Sequence, residues 1–137
     1  MDTLRYCLDT NVLIAYLKGR EPGASAVERV VKNSVCYVTS ITVYELMFGV
    51  ARAQKRIGED DLLGVMVVLP FDDAVARRSA SLHAQLVMAN RDIGVKDTFI
   101  AATCLENDIP ILTINRRHFE RVPGLTVITP QEVLKSL

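Results

Sequence analysis

Apolar residues along this chain fall into two kinds of run. Short blocks of four or five, bounded by polar or turn-forming residues, predict buried strands over residues 4–8, 35–38, 65–69, 110–113 and 125–128. Longer stretches with apolar positions three and four apart predict helices. These cover residues 11–18, closed by Gly19 and Pro22, and residues 24–32. A third is capped by Thr39 or Ser40 and carries Glu45, and a fourth runs from Asp72 or Asp73 to about residue 89. A further helix starts at Asp97 and reaches about residue 106, and a short one closes the chain over residues 130–137. Residues 54–61, the most polar stretch, predict a turn between helices. Strands that alternate with helices predict an α/β fold, a three-layer αβα sandwich with a central, mainly parallel sheet. In such a sheet a site forms beyond the carboxyl ends of the strands, where the strand order reverses. No repeat, low-complexity tract or long linker divides the chain, so residues 1–137 read as one domain.

Composition narrows the picture. Half of the 137 residues are hydrophobic, enough for one compact core. Sixteen basic and sixteen acidic side chains cancel, which argues against a protein coated for non-specific DNA binding but leaves room for a local basic groove. Cys7, Cys36 and Cys104 are far apart in apolar surroundings, the pattern of free thiols in a reducing compartment. No run approaches the roughly 18 apolar residues of a membrane span. Arg5 and Asp9 interrupt the first apolar stretch and make it a poor secretion signal, so the cytoplasm is the expected location.

Candidate chemistry begins with Glu45, the only formal charge in ITVYELMFGVA. On a helix, Val43, Leu46, Met47 and Val50 form one apolar face, and Ile41, Tyr44 and Phe48 cover much of the other. A carboxylate partly buried there costs several kcal/mol unless something pairs with it. No Lys or Arg lies within a helical turn, so the partner comes from elsewhere: a divalent cation, or an arginine from a distant helix. Asp9 directly follows the first strand, Asp97 lies in the first turn of a later helix, and Asn115 follows the fourth strand. Far apart in sequence, these positions can converge at the carboxyl-end crevice. Oxygen ligands without Cys or His suit Mg²⁺ or Mn²⁺, which orient a phosphodiester and activate water for in-line attack. Each residue also has a plainer role: Asp9 as a helix cap, Asp97 as an acid favoured by the helix dipole, Asn115 as a turn residue. What singles them out is their common order and setting.

Four segments, LDTNVLI, YEL, GVKDTFIAA and LTINRRHFERVPGLTV, resemble the PIN-domain ribonucleases, and most of all the VapC-type toxins of toxin–antitoxin pairs. The resemblance covers residues 8–127. It implies an αβα sandwich and an endoribonuclease dependent on Mg²⁺ or Mn²⁺, with Asp9, Glu45 and Asp97 binding the metal. It implies that Thr10 and Asn11 orient the first acid and the substrate phosphate, and that a cognate antitoxin lays a C-terminal segment along the groove. One departure stands out. Where many PIN domains carry a fourth acid, this chain has Asn115, and His118 stands where related toxins often have an acid. Asn115 can hold a water or the phosphate but brings no charge, which leaves enough acids for one tightly held metal, with any second metal weaker or dependent on the substrate phosphate; Asp92 is a candidate substitute, its plainer and favoured role being a cap or a solvated residue.

Arg116, Arg117, His118 and Arg121 cluster beside the proposed site, and Arg52, Lys55 and Arg56 form a second basic group. Either can contact an RNA backbone or simply be solvated. Few aromatics are available for stacking, which favours a folded RNA over an extended strand. The helices NVLIAYL and SITVYELMFGVA are apolar nearly all round and predict a homodimer or a bound partner helix. The leading reading is a metal-dependent endoribonuclease toxin neutralised by an antitoxin. Its rival is a catalytically weak PIN-like module acting in a toxin–antitoxin repressor complex or in RNA binding. A phosphoryl-transfer enzyme with Asp9 as nucleophile is disfavoured, because Asn11 occupies the place of the second acid such chemistry needs.

Overall fold

A computed structural model of the chain describes residues 4–135. Five strands, β1 (Arg5–Leu8), β2 (Val35–Thr39), β3 (Val67–Leu69), β4 (Ile111–Leu112) and β5 (Val127–Ile128), form one sheet in the order β3-β2-β1-β4-β5. Every pairing in it is parallel. Between the strands run α1 (Thr10–Leu17), α2 (Gly23–Asn33), α3 (Ser40–Ala53), α4 (Glu59–Leu63), α5 (Asp73–Met88), α6 (Val95–Glu106), α7 (Arg116–Phe119) and α8 (Pro130–Lys135).

Side-chain alternation along the strands builds the sandwich. Cys7 and Ile111 point into a core shared with α5, α6 and α7 through Leu82, Leu86, Ile100, Ala101 and Phe119. Their neighbours Leu8 and Leu112, with Cys36 and Val38, point the other way into a core with Val12, Leu13, Val27, Val30 and Leu46. Buried on both faces, β4 and the last two residues of β1 are apolar without a polar alternate, as central parallel strands require, whereas Val67 and Val68 of the edge strand β3 are exposed. All three cysteines are free and buried.

The expected architecture is the observed one, with differences in detail. The third strand begins at Val67 rather than residue 65, because α4 and the turn after it use the residues before it. That polar stretch is not simply a turn: Glu59 opens α4 and is only 2 % exposed. The short helix α7 was not expected. Expected residues 136–137 of the last helix lie outside the described residues. Helix α1 buries Val12, Leu13 and Ala15 within the domain, whereas α3 buries only Thr42 and Leu46. Met47, expected on the apolar face of α3, is exposed together with Tyr44 and Phe48. Among the described residues no helix is long and apolar enough to cross a membrane.

Candidate active site

The strand order fixes where a site can form. From β1 the sheet grows to one side through β2 and β3 and to the other through β4 and β5, so the order reverses between β1 and β4. Leu8 pairs with Leu112, and the next residue on each strand is Asp9 and Thr113. The Asp9 amide donates to the Leu112 carbonyl at 3.0 Å, which continues the ladder one step past the strands. The Thr113 hydroxyl then donates to Asp9 Oδ2 at 2.7 Å, bridging the two strand ends, while the Thr10 amide donates to Oδ1 at 2.9 Å. Asp9 thus caps α1, its plainer role, and also stands at the crevice.

Asp9 is 5 % exposed, and its pKa is pushed up to about 6. Burial is the largest cause. The bonds from Thr113 and Thr10 oppose it, and the charges of Asp97 and Glu45 add to it. The charges of those two distant acids are thus felt at Asp9.

Glu45 arrives through α3, whose N-cap Thr39 accepts from the Thr42 amide at 3.1 Å. The helix places Thr42 one turn before Glu45, and the Thr10 hydroxyl lies 2.8 Å from Glu45 Oε1 and 3.2 Å from Thr42 Oγ1. The carboxylate accepts only, so Thr10 donates to Glu45. Thr10 therefore holds Asp9 with its amide and Glu45 with its hydroxyl. Glu45 is half-buried, and its partner inside the chain is this threonine; no arginine pairs with it among the described residues.

Asp97 sits in the first turn of α6, half-buried. Instead of turning back to the first-turn amides, its Oδ2 lies 2.9 Å from His118 Nδ1. Glu45 Oε2 and Asp97 Oδ1 have no partner among the described residues.

The remaining candidates are placed as follows. Asn11 spends both ends of its side chain on the loop after β4, donating to Thr113 Oγ1 at 3.3 Å and accepting from the Ile114 amide at 3.2 Å. Asn115 enters the site through its backbone, its amide donating to Thr113 Oγ1 at 3.0 Å. Its side chain makes no bond to an acid among the described residues. Arg116 is turned to Glu120 and Glu132. Arg117 is exposed and unpaired among the described residues, and the Arg121 guanidinium donates to the Asp92 carbonyl at 3.0 Å. Asp92 does not replace a fourth acid. Its Oδ1 accepts from the Gly94 amide at 2.9 Å and lies 3.2 Å from His83, so it shapes the turn before α6. Arg52, Lys55 and Arg56 are exposed at the end of α3 and beyond it.

Two hydroxyls central to this arrangement, Thr113 and Thr42, had not been singled out from the sequence. The first had a usable signal, since LT ends β4 as LD ends β1 in the paired register. Thr42 had only its place three residues before Glu45.

In kind, the donor set suits a hard divalent cation: three carboxylates whose charges meet at Asp9, with oxygens of Glu45 and Asp97 left over. In position it is open. Among the described residues no three His, Cys, Asp or Glu side chains stand close enough together to hold a metal ion as placed.

Comparison with known proteins shows the family and the fold. The family model described as "PIN domain" matches residues 6–125. A VapC ribonuclease, Y4jK, of Sinorhizobium fredii is 35 % identical over 137 aligned positions, covering 91 % of this chain and 96 % of the relative. A protein of Shigella flexneri named tRNA(fMet)-specific endonuclease VapC is 30 % identical over 126 positions, covering 89 % of this chain and 95 % of that one. Among solved structures, the DNA-bound VapBC of Salmonella typhimurium superposes with a TM-score of 0.74 at 26 % identity, covering 93 % of this chain and 98 % of the matched chain.

Proposed function

This chain belongs to the PIN-domain family, among its VapC-type members, and from that premise we propose that it is a metal-dependent endoribonuclease toxin held inactive by a cognate antitoxin protein. One observation carries the proposal: Asp9, bonded across the β1–β4 switch by Thr113, feels the charges of both Asp97 and Glu45. Asp9 stands at the place where α/β sheets bind ligands, and the other two acids are near enough for their charge to be felt there.

Asp9, Glu45 and Asp97 would hold Mg²⁺ or Mn²⁺. Such an ion supplies Lewis acidity toward a phosphodiester and acidifies water at neutral pH. The chain supplies the rest. Thr113 and the Thr10 amide fix both oxygens of Asp9, and the Thr10 hydroxyl fixes Glu45, so the acids are ordered before substrate arrives. Asn11 holds the loop that carries Thr113 and acts on the site through it. Arg117, exposed beside the site, is the free guanidinium best placed for an RNA phosphate; Arg116 would first have to leave Glu120 and Glu132. The neutral overall charge fits a substrate gripped locally. Transfer RNA is the first RNA to try, because the Shigella relative is named for it.

The solved relatives include DNA-bound toxin–antitoxin complexes, which supports a partner protein for this chain. The exposed aromatics of α3, Tyr44 and Phe48, with ring centroids 5.9 Å apart, give that partner or a second copy of the chain an apolar surface. The rival reading, a binding module without cleavage, draws on the uncharged Asn115 and the openness of the acid cluster.

Induced expression in a bacterial host, without any antitoxin, tests the proposal. Growth arrest with RNA cut at discrete positions is the expected result, with both effects absent for Glu45→Gln and Asp97→Asn. Growth arrest with intact RNA would favour the binding module.

A further inference from the structure

One contact in the crevice belongs to no role assigned so far, the 2.9 Å approach of His118 Nδ1 to Asp97 Oδ2. The chain builds a dedicated element to make it. Helix α7 is four residues long, too short to form for its own sake, and it is pinned by its last residue, Phe119, which is fully buried in the core under α6. His118, one residue earlier, is thereby set against the first turn of α6, where Asp97 stands. A carboxylate has only acceptors to offer, so the proton of this bond sits on Nδ1 of the imidazole. The bond takes up Oδ2 and leaves Oδ1 of Asp97 without a partner among the described residues.

We propose that His118 is the positioning residue of the acid cluster: by donating from Nδ1 to Asp97 Oδ2, it fixes the Asp97 carboxylate in one orientation and leaves its other oxygen for the metal. The proposal rests on the metal-centre reading above. A carboxylate at position 118 would face Asp97 with like charge, whereas an imidazole N–H satisfies one of its oxygens and adds no negative charge to a cluster already crowded with three. Asp97 is half-buried, and without this bond its side chain would be free to sample other rotamers. His118 removes that freedom before an ion binds.

The test is Mn²⁺ titration by calorimetry on the purified full chain, with no RNA present, for the wild type and three variants whose folding is checked by thermal melting. His118→Ala is expected to weaken Mn²⁺ binding about tenfold or more. His118→Asn keeps a donor at the δ position and is expected to recover most of that loss. His118→Gln, whose donor sits one carbon further out, is expected not to. A merely structural role would not separate Asn from Gln in this way. Equal Mn²⁺ affinity in wild type and His118→Ala would overturn the positioning role while leaving the metal centre standing. A second measurement needs no ion. Long-range ¹H–¹⁵N correlation of the imidazole is expected to show the Nδ1 proton of His118 and its shift in Asp97→Ala. An imidazole protonated on Nε2 alone would overturn the contact. A wild type with the Nδ1 proton but no Mn²⁺ binding would fail the metal-centre reading, and the role of His118 toward an ion would fall with it.

Discussion

Burying the Asp9 carboxyl strains the stability of this chain. In the unfolded chain its pKa lies near the ordinary aspartate value; in the folded chain burial raises it to about 6. From about pH 4 to about pH 6 the folded state therefore binds this proton more tightly than the unfolded state. The Asp9 contribution to stability is most favourable below that window and is lost as pH rises through it. The loss is about 3 kcal/mol. Metal-free protein in EDTA is accordingly expected to melt lower at pH 7.5 than at pH 5 on this account. Asp9→Asn should remove most of that fall and raise the melting temperature at pH 7.5 while abolishing cleavage. An identical pH dependence in wild type and Asp9→Asn would show that Asp9 is not the buried charge. Thr113 works against the same penalty. Thr113→Val removes the donor to Oδ2, and at pH 7.5 should destabilise the chain by about 1–2 kcal/mol, with Thr113→Ser close to wild type in denaturant titrations. Glu45 stood out in the sequence as a charge in an apolar setting, and Asp9 by its place directly after the first strand. Thr42 did not, since a hydroxyl in a helix fits either face without leaving a pattern, and Thr113 stands out only once β4 is set in register beside β1.

At the scale of elements, the long ones announced themselves and the single turns did not. The strand blocks and the periodic helices α1, α2, α3, α5 and α6 fall within a few residues of their expected places. Helices α4 and α7 are too short for any periodicity to register; α4 buries Glu59 and Leu62, and α7 buries Phe119. Missing α7 had a consequence for the site. With that segment read as a loop, Arg116 looked free to meet a phosphate. As a helix its i,i+4 spacing sets Arg116 on Glu120, and α8 adds Glu132. Helix α3 starts on a firmer cap. Thr39→Ala should cost about 1 kcal/mol in thermal or denaturant unfolding. Since the same threonine cap orders Thr42 beside Thr10, that variant should also weaken RNA cleavage, whereas Thr39→Ser should leave both nearly intact. An unfolding curve unchanged by Thr39→Ala would contradict the capping role.

For the molecule as a whole, the two cores bury α1 but leave the outer face of α3 uncovered, with Tyr44 56 % and Phe48 52 % exposed. Phe48→Lys should therefore leave the isolated chain within about 0.5 kcal/mol of wild type. If that face meets the antitoxin or a second copy, the same change should lower the mass of the assembly in sedimentation. A marked loss of stability instead would mean that α3 is covered within the domain. The parallel sheet followed from the alternation of strands and helices, but the place of its switch, between β1 and β4, and the openness of the acid cluster did not, because alternation leaves the strand order open and carboxylate spacing is set by side-chain rotamers. The central claim is that this crevice is a metal-dependent ribonuclease centre. The most direct measurement is cleavage of purified transfer RNA by the purified, antitoxin-free chain in Mg²⁺, in Mn²⁺ and in EDTA, beside Asp9→Asn. Discrete fragments that appear with either ion and vanish with EDTA or in the variant are the predicted result. Fragments that persist in EDTA or in Asp9→Asn would contradict it.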